Sequence, residues 1–252
     1  MDGLAALAWQ VELGADEALE EAPRDRLSRV APAPRAMAVA AVAPPPPVPG
    51  AADATEAAAN AGTLDALRAA IAAFAGCALS VTATHPVFAE GDPEAGLLLI
   101  GDAPSDSDDR AGRPFTGPAG AFLDQMLAAI GLDRSRLLLA PLIPWRPPGG
   151  RAPSPAERAL CLPFLLRLIV LTRPRRVVLA GALAARDLLT AAGVRGKRGT
   201  WQALTVPGLA PIPALVTEDP GFLLRNPGPP RRRAWAEWRL LRRSMDDDLT
   251  KS

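Results

Sequence analysis

Residues 96–104 have the sequence GLLLIGDAP, an apolar run that ends in a glycine and a carboxylate. Three more short apolar runs follow at residues 137–140, 176–180 and 213–217. Helical patterns lie between them, at 119–130, 154–171 and 182–191, and a last helix is predicted at 230–243. Apolar strands that alternate with helices indicate a parallel sheet covered on both faces, because such strands have no solvated side.

The carboxyl ends of parallel strands form the ligand crevice of an open α/β sheet. Three segments of this chain follow predicted strands and should meet there: residues 101–117, 141–151 and 217–225. Each combines charged residues with glycine, proline or an aromatic ring. We therefore expect one functional site built from these three loops.

Composition excludes several classes of site. The 252 residues include two Cys and one His, too few for a disulfide framework or a metal site with several imidazoles. No apolar run approaches the roughly 18 residues of a membrane-spanning helix, and residues 1–4 lack a basic secretory start. The chain is expected to be cytoplasmic, without a membrane partner.

Charge and proline divide the chain. Residues 1–90 carry 5 basic and 11 acidic side chains, whereas residues 91–252 carry 23 basic and 16 acidic ones. We predict an N-terminal amphipathic helix segment at 1–30, an Ala/Pro-rich disordered linker at 31–62, a folded domain at 63–244 and an acidic tail at 245–252. The helix on its flexible extension is a candidate docking element for a protein partner.

The three loops carry extended motifs: GDAPS at 101–105 with DRAGRPFTG at 109–117, then PLIPWRPPGGR at 141–151, then DPGFLLR at 219–225. In this order and on these strand ends they resemble family 4 of the uracil-DNA glycosylase superfamily. The resemblance spans about residues 74–238. It implies a three-layer α/β/α sandwich with a central four-stranded parallel sheet, and hydrolysis of the N-glycosidic bond of deoxyuridine in DNA.

The resemblance also implies roles for single residues. An enzyme of this kind extrudes the base from the duplex, stacks it on an aromatic ring and binds its edge. The implied catalytic positions are Asp102, in place of a family Glu, and Asp219. The implied base pocket consists of Gly101, Ala103, Phe115 and Pro141. The implied DNA contacts are Arg146, Arg151, Phe222, Leu223 and Arg225. Phe115 would be the stacking ring, Phe222 and Leu223 would wedge into the duplex, and Arg225 would hold a phosphate.

Two departures from the family pattern affect its chemistry. Asp219 replaces a His that steadies the negative charge on departing uracil, and Pro141 replaces an Asn whose amide contacts the uracil edge. A carboxylate would repel that negative charge, and a proline offers no polar group. Both substitutions argue against ordinary uracil excision.

The family's four-iron four-sulfur cluster meets a third departure. Its four cysteine positions correspond to Phe74, Cys77, Trp145 and Cys161, so Cys77 and Cys161 are vestigial ligands. We predict that the cluster is lost, that side-chain packing replaces it, and that the protein has no metal cofactor. The alternative is a cluster with unusual ligands or one shared between chains.

Three functions stay open on this reading. The first is a monomeric DNA glycosylase that removes uracil or a related damaged base. The second is a catalytically degenerate relative that binds DNA or a repair partner. The third is a glycosylase whose pocket accepts another damaged base.

Overall fold

The computed structural model describes residues 50–190 and 198–249. The helices are α1 Ala51–Asn60, α2 Leu64–Ala73, α3 Leu79–Thr82, α4 Asp106–Ala111, α5 Gly117–Ala129, α6 Pro155–Thr172, α7 Ala182–Thr190, α8 Pro220–Arg225 and α9 Pro229–Leu249. The strands are β1 Glu90–Gly91, β2 Leu97–Gly101, β3 Leu138–Pro141, β4 Arg176–Ala180, β5 Trp201–Leu204 and β6 Ile212–Thr217. Short 3-10 helices lie at Arg134–Arg136 and Pro148–Gly150.

One sheet of six strands, in the order β1-β3-β2-β4-β6-β5, forms the middle layer. The four central strands are parallel, and Gly101 of β2 pairs in register with Pro141 of β3 and Ala180 of β4. This confirms the predicted four-stranded parallel sheet. The edge strands β1 and β5 pair antiparallel with β3 and β6, and the sequence patterns did not predict them.

Two apolar clusters lie on opposite faces of the sheet and make the sandwich three-layered. One packs helices α1, α2, α6 and α7 against alternate strand residues such as Leu98 and Ile100. The other packs α5, α8 and α9 against the intervening residues Leu97 and Leu99, with Trp238 of α9 almost fully buried. All five residues of β2 are buried, as an internal parallel strand requires.

The structure differs from the predicted domain boundaries at both ends. Residues 51–60, inside the predicted linker, form helix α1, which packs against α6 through the buried Ala54 and Ala58. Alanine at this spacing lets two helix backbones approach closely, and proline is absent from that stretch. Helix α9 continues through residue 249, into the predicted acidic tail. The predicted helix at 1–30 and the linker at 31–49 lie outside the described residues.

Candidate active site

A cavity of about 710 Å³ opens at the carboxyl ends of β2, β3, β4 and β6. Its walls come from the three loops that the sequence singled out and from the first turn of α7. Ten of the predicted site residues line it: Gly101, Asp102, Ala103, Phe115, Pro141, Arg146, Arg151, Asp219, Phe222 and Arg225. The parallel sheet thus brings together residues more than a hundred positions apart, as the strand-end argument expects.

The loop after β2 is closed by Asp108, a buried carboxylate that the sequence did not single out. Its Oδ2 accepts a hydrogen bond from the backbone N–H of Ser105 at 2.8 Å, and the Ser105 hydroxyl accepts one from the Asp108 N–H. This reciprocal capping box begins α4. Asp108 Oδ1 also accepts hydrogen bonds from the backbone and hydroxyl of Thr116, both at 2.6 Å, which fixes the turn that carries Phe115.

Phe115 supplies the aromatic surface of the cavity. Its φ of 52° is unusual for a bulky residue, and its carbonyl accepts a hydrogen bond from Arg134 Nη2 at 2.5 Å. The ring lies directly against the end of β2, where a Cβ on Gly101 would come within 2.6 Å of Cζ. The absence of a Cβ at Gly101 therefore leaves room for the Phe115 ring, and the two predicted pocket residues contact each other directly.

Asp102 lies under the N-terminus of helix α7. Its Oδ1 accepts a hydrogen bond from the Ala184 N–H at 2.8 Å, and the Cβ-free surface of Gly181 leaves space for the carboxylate. Burial raises the pKa of Asp102 and the negative charge of Asp219 adds to that rise, whereas the N–H groups of the first turn of α7 oppose it. Asp102 is thus at once a helix-terminal anion and a wall of the cavity.

Asp219 begins helix α8 on the opposite wall. Its Oδ1 accepts a hydrogen bond from the Phe222 N–H at 2.7 Å, the geometry of an N-cap. Burial raises the pKa of Asp219, the Phe222 N–H and the charge of Arg225 lower it, and Asp108 raises it further. The position implied for a histidine donor therefore holds a hydrogen-bond acceptor.

Pro141 ends β3 beside Gly101 and contributes an apolar ring to the cavity wall. The next residue, Leu142, donates its N–H to the Gly101 and Asp102 carbonyls at 2.7 and 3.1 Å. Backbone contacts therefore join the two strand ends. The side chains of Pro141 and Leu142 offer no polar group to a base edge.

Two of the three predicted DNA-binding arginines are held by carboxylates. Arg146 Nη1 lies 3.2 Å from Asp106 Oδ1. Arg151 makes a two-point ion pair with Glu157 at 2.6 and 2.8 Å, and this contact holds the pKa of Glu157 down at about 2. Arg225 is exposed at the end of α8. All three line the cavity.

The predicted wedge needs a correction at one residue. Phe222 is 37% exposed, but Leu223 is 1% exposed and belongs to the core, so it cannot enter a duplex from this position. Leu224, also 37% exposed, projects from α8 instead. In a helix this short, adjacent residues face different directions, a rotation that the sequence DPGFLLR does not reveal.

Arg231 is a further residue that sequence reasoning missed. It donates hydrogen bonds from Nε to the Leu223 carbonyl at 2.7 Å and from Nη2 to the Leu224 carbonyl at 2.8 Å. Its guanidinium also lies 4.9 Å from the centre of the Phe122 ring. Arg231 therefore ties the last carbonyls of α8 to the start of α9. The sequence showed only a run of three arginines there.

The four positions of the implied iron–sulfur cluster do lie together in the core. Phe74 and Trp145 stack with ring centres 6.2 Å apart and planes at 24°, and Phe164 meets Phe74 edge-on at 5.2 Å. Cys77 and Cys161 are buried free thiols. The Cys161 thiol lowers the pKa of Cys77 to about 7 by hydrogen bonding, and the same contact raises the pKa of Cys161. Two thiols and two stacked rings do not fit a cluster that takes thiolates at all four positions.

Within residues 50–190 and 198–249, no three His, Cys, Asp or Glu side chains are arranged to hold a metal ion. In the same ranges, every helix is too short or too polar to cross a bilayer.

Comparison with known proteins agrees with this geometry. A family model described as the Uracil DNA glycosylase superfamily matches residues 88–240. The chain is 31% identical over 156 residues to the Type-4 uracil-DNA glycosylase of Pyrobaculum aerophilum, covering 60% of this chain and 79% of that protein. It is 33% identical over 155 residues to the Type-4 uracil-DNA glycosylase of Thermotoga maritima, covering 60% and 77%.

A third relative belongs to another type. The Type-5 uracil-DNA glycosylase of Thermus thermophilus is 38% identical over 126 residues, which cover 44% of this chain and 57% of that protein. The matched region of the family model contains all three cavity loops and the whole parallel sheet. The chain belongs to the uracil-DNA glycosylase superfamily.

Proposed function

We propose that this protein is a DNA repair enzyme that hydrolyses the N-glycosidic bond of uracil, or of a related damaged base, flipped out of DNA. The observation that carries the proposal is the convergence of the three family motifs on one cavity containing Asp102, Asp219 and Phe115. Membership of the uracil-DNA glycosylase superfamily supports the same reaction class. The two departures from the family pattern, Asp219 and Pro141, bear on whether the base removed is uracil.

Base capture would rely on Phe115. Flipping a base out of the duplex costs roughly a few kcal/mol. Stacking of the base on an aromatic face and its other contacts in the pocket offset this cost. The Phe115 carbonyl is held by Arg134 and its ring lies against Gly101, so the residue is ordered before a base arrives. Gly101, Ala103 and Pro141 would form the apolar rim around that base.

Asp102 would act on the sugar. As the C1′–N bond breaks, positive charge develops on the deoxyribose, and a nearby carboxylate stabilises that charge. One Asp102 oxygen is already fixed by the Ala184 N–H, so the group does not have to reorganise during the reaction. Water then adds to C1′, and its proton passes to a carboxylate or to solvent.

DNA would bind across the mouth of the cavity. Arg146, Arg151 and Arg225 are the proposed phosphate contacts, and the exposed Phe222, with Leu224 beside it, is the proposed wedge. Binding should weaken steeply as salt rises, because each phosphate contact releases counterions. Arg146 and Arg151 would first exchange their carboxylate partners for phosphate.

We further propose that the iron–sulfur cluster of the family is absent and that packing replaces it. The support is the stack of Phe74 on Trp145 and the direct hydrogen bond between the two remaining thiols. Iron and sulfide analysis of protein purified without air tests this, with a Cys77→Ala variant as the control. Stoichiometric iron that disappears in that variant would contradict the proposal.

A second candidate function is binding without cleavage. It is favoured by the helix-capping contacts of Asp102 and Asp219, which give both carboxylates a purely structural role. The proposed docking of a repair partner on residues 1–30 fits this candidate equally well. The protein would then bind DNA as a monomer and leave no abasic site.

One experiment separates the two candidates. Excess protein is mixed with a fluorescent oligonucleotide carrying one deoxyuridine, and alkali then reveals abasic sites. Asp102→Asn keeps the size of the side chain and removes its charge, and Asp65→Asn, an exposed acid at the start of α2, is the matched control. Cleavage lost only in Asp102→Asn supports the enzyme, whereas salt-sensitive binding with no cleavage of any lesion supports the binding protein.

A further inference from the structure

The cavity is unusually acidic for a site that faces DNA. Five carboxyl groups line it, from Asp102, Asp106, Asp108, Glu218 and Asp219, against three guanidinium groups. Asp106 is paired with Arg146, and Glu218 is paired with Arg198. Arg151 is paired with Glu157, which leaves three carboxylates and the guanidinium group of Arg225.

Those three carboxylates are stabilised without being neutralised. Asp102 accepts a hydrogen bond from the Ala184 N–H, Asp219 from the Phe222 N–H, and Asp108 from Thr116. The donors of these hydrogen bonds are uncharged, and the charge of Arg225 acts on Asp219 as well and lowers its pKa. The negative charge of Asp219 raises the pKa of Asp102, and that of Asp108 raises the pKa of Asp219, so Asp219 lies within electrostatic reach of both other carboxylates.

This arrangement opposes an anionic leaving group. When uracil departs, the electron pair of the C1′–N bond passes to the base, which becomes an anion unless a donor steadies it. Asp219 and Pro141 supply no such donor, as described above. A charge of the same sign at close range raises the barrier to forming an anionic base, and more so in a partly buried site than in bulk water.

A base with a fixed positive charge reverses this balance. A purine alkylated on a ring nitrogen, such as 7-methylguanine or 3-methyladenine, is cationic while it is attached to the sugar. When water adds to C1′ and the C1′–N bond breaks, the bonding pair neutralises the ring, and the base leaves uncharged. The proton of the water goes to a carboxylate or to solvent. No donor to the leaving base is needed.

We propose that the cavity is adapted to cationic, N-alkylated purines, held between the carboxylates of Asp102 and Asp219 and stacked on Phe115. This inference rests on the proposed glycosylase function and names its substrate class. Aromatic rings bind cations over their faces more strongly than they bind neutral groups. A cavity of about 710 Å³ also has room for a two-ring base with part of its nucleotide.

The test uses full-length protein and two DNA substrates in parallel. One is duplex DNA treated with dimethyl sulfate, which carries 7-methylguanine and 3-methyladenine, and the other is the same duplex with deoxyuridine. Released bases are identified by mass spectrometry, and spontaneous release is subtracted with a sample lacking protein. Release of methylated purines should be at least about tenfold faster than release of uracil.

Three variants sharpen the test. Asp219→Asn keeps an N-capping side chain for α8 but removes the charge, so methylpurine release should fall about tenfold or more while the protein stays folded. Asp219→His should shift the preference toward uracil. Asp65→Asn, outside the cavity, should change neither rate.

Each outcome distinguishes the inference from the function on which it rests. Uracil release without methylpurine release, or equal rates for both, would overturn the inference and leave the glycosylase function standing. Methylpurine release that is unchanged in Asp219→Asn would also overturn it. No release from either DNA, with thermal unfolding showing folded protein, would overturn both.

Discussion

Replacing Gly101 by alanine tests whether the floor of the cavity is built as described. A Cβ at this position would lie 2.6 Å from Cζ of Phe115, closer than real Cβ atoms come to other atoms, and 3.2 Å from Cε1, which is a tight contact. Phe115 cannot retreat easily, because Arg134 holds its carbonyl and its backbone packs on Gly120. The methyl group must therefore push the ring off the strand end.

The sign of the stability change decides the matter. Alanine in a strand interior is normally more stable than glycine by about 0.5–1 kcal/mol. Overpacking a buried contact instead costs about 1–3 kcal/mol. Because the second effect is larger, Gly101→Ala should lower the free energy of unfolding by about 1–2 kcal/mol, and the displaced ring should slow base release.

Urea denaturation and the single-turnover cleavage assay measure these two effects. Gly62→Ala is the matched control, because a Cβ there meets no atom within 4 Å, and it should be neutral or mildly stabilising. In a Phe115→Leu background the Gly101→Ala cost should shrink, with a coupling of about 0.5–3 kcal/mol. A stabilised Gly101→Ala variant, or an equal cost in both backgrounds, would refute the described contact.

Three other predictions concern parts of the scaffold. Arg151 holds the pKa of Glu157 at about 2 instead of 4.5, so the stability that this carboxylate provides is present above about pH 4.5 and is lost as the pH falls toward 2. The difference in unfolding free energy between wild type and Glu157→Gln should shrink over that range. A constant difference would contradict the assignment. Arg231→Ala should lower the free energy of unfolding by about 1–3 kcal/mol and speed hydrogen exchange in α8, because two carbonyls lose a charged donor. The change Arg232→Ala, at an exposed position, should alter stability by no more than about 0.5 kcal/mol. Equal effects would exclude the role of Arg231 in holding the end of α8. Trp145→Ala should cost about 3–5 kcal/mol in urea denaturation, because the ring is buried and its removal leaves a void beside Phe74. A loss under about 1 kcal/mol would mean that the ring does not fill that space.

The strands that the sequence predicted correctly share one property. The runs LLLI at 97–100 and VVLA at 177–180 are apolar on both faces, and such runs are stable only inside a covered parallel sheet. The predictions failed where elements were short or atypical. Strand β1 has two residues, and helix α1 is an alanine-rich stretch next to prolines, so neither carries a periodic apolar pattern.

The candidate site was predicted residue by residue only as far as loop motifs reach. Ten of its proposed members line the cavity, because the end of a parallel strand is fixed once the strand is known. The exception, Leu223, differs from its neighbours by a rotation about α8 that depends on how the helix packs. Arg231 was missed because its partners are backbone carbonyls, which leave no trace in sequence.

The sequence by itself determined the four central parallel strands, the three loops at their ends and the membership of a glycosylase superfamily, because apolar periodicity and extended motifs are local properties of the chain. Only the tertiary structure decided the electrostatic character of the site. It gave Asp102 and Asp219 uncharged N–H partners, paired Asp106 and Glu218 with arginines, and left the cavity acidic. Charge balance depends on distances between side chains that lie far apart in sequence, and those distances exist only once the chain has folded.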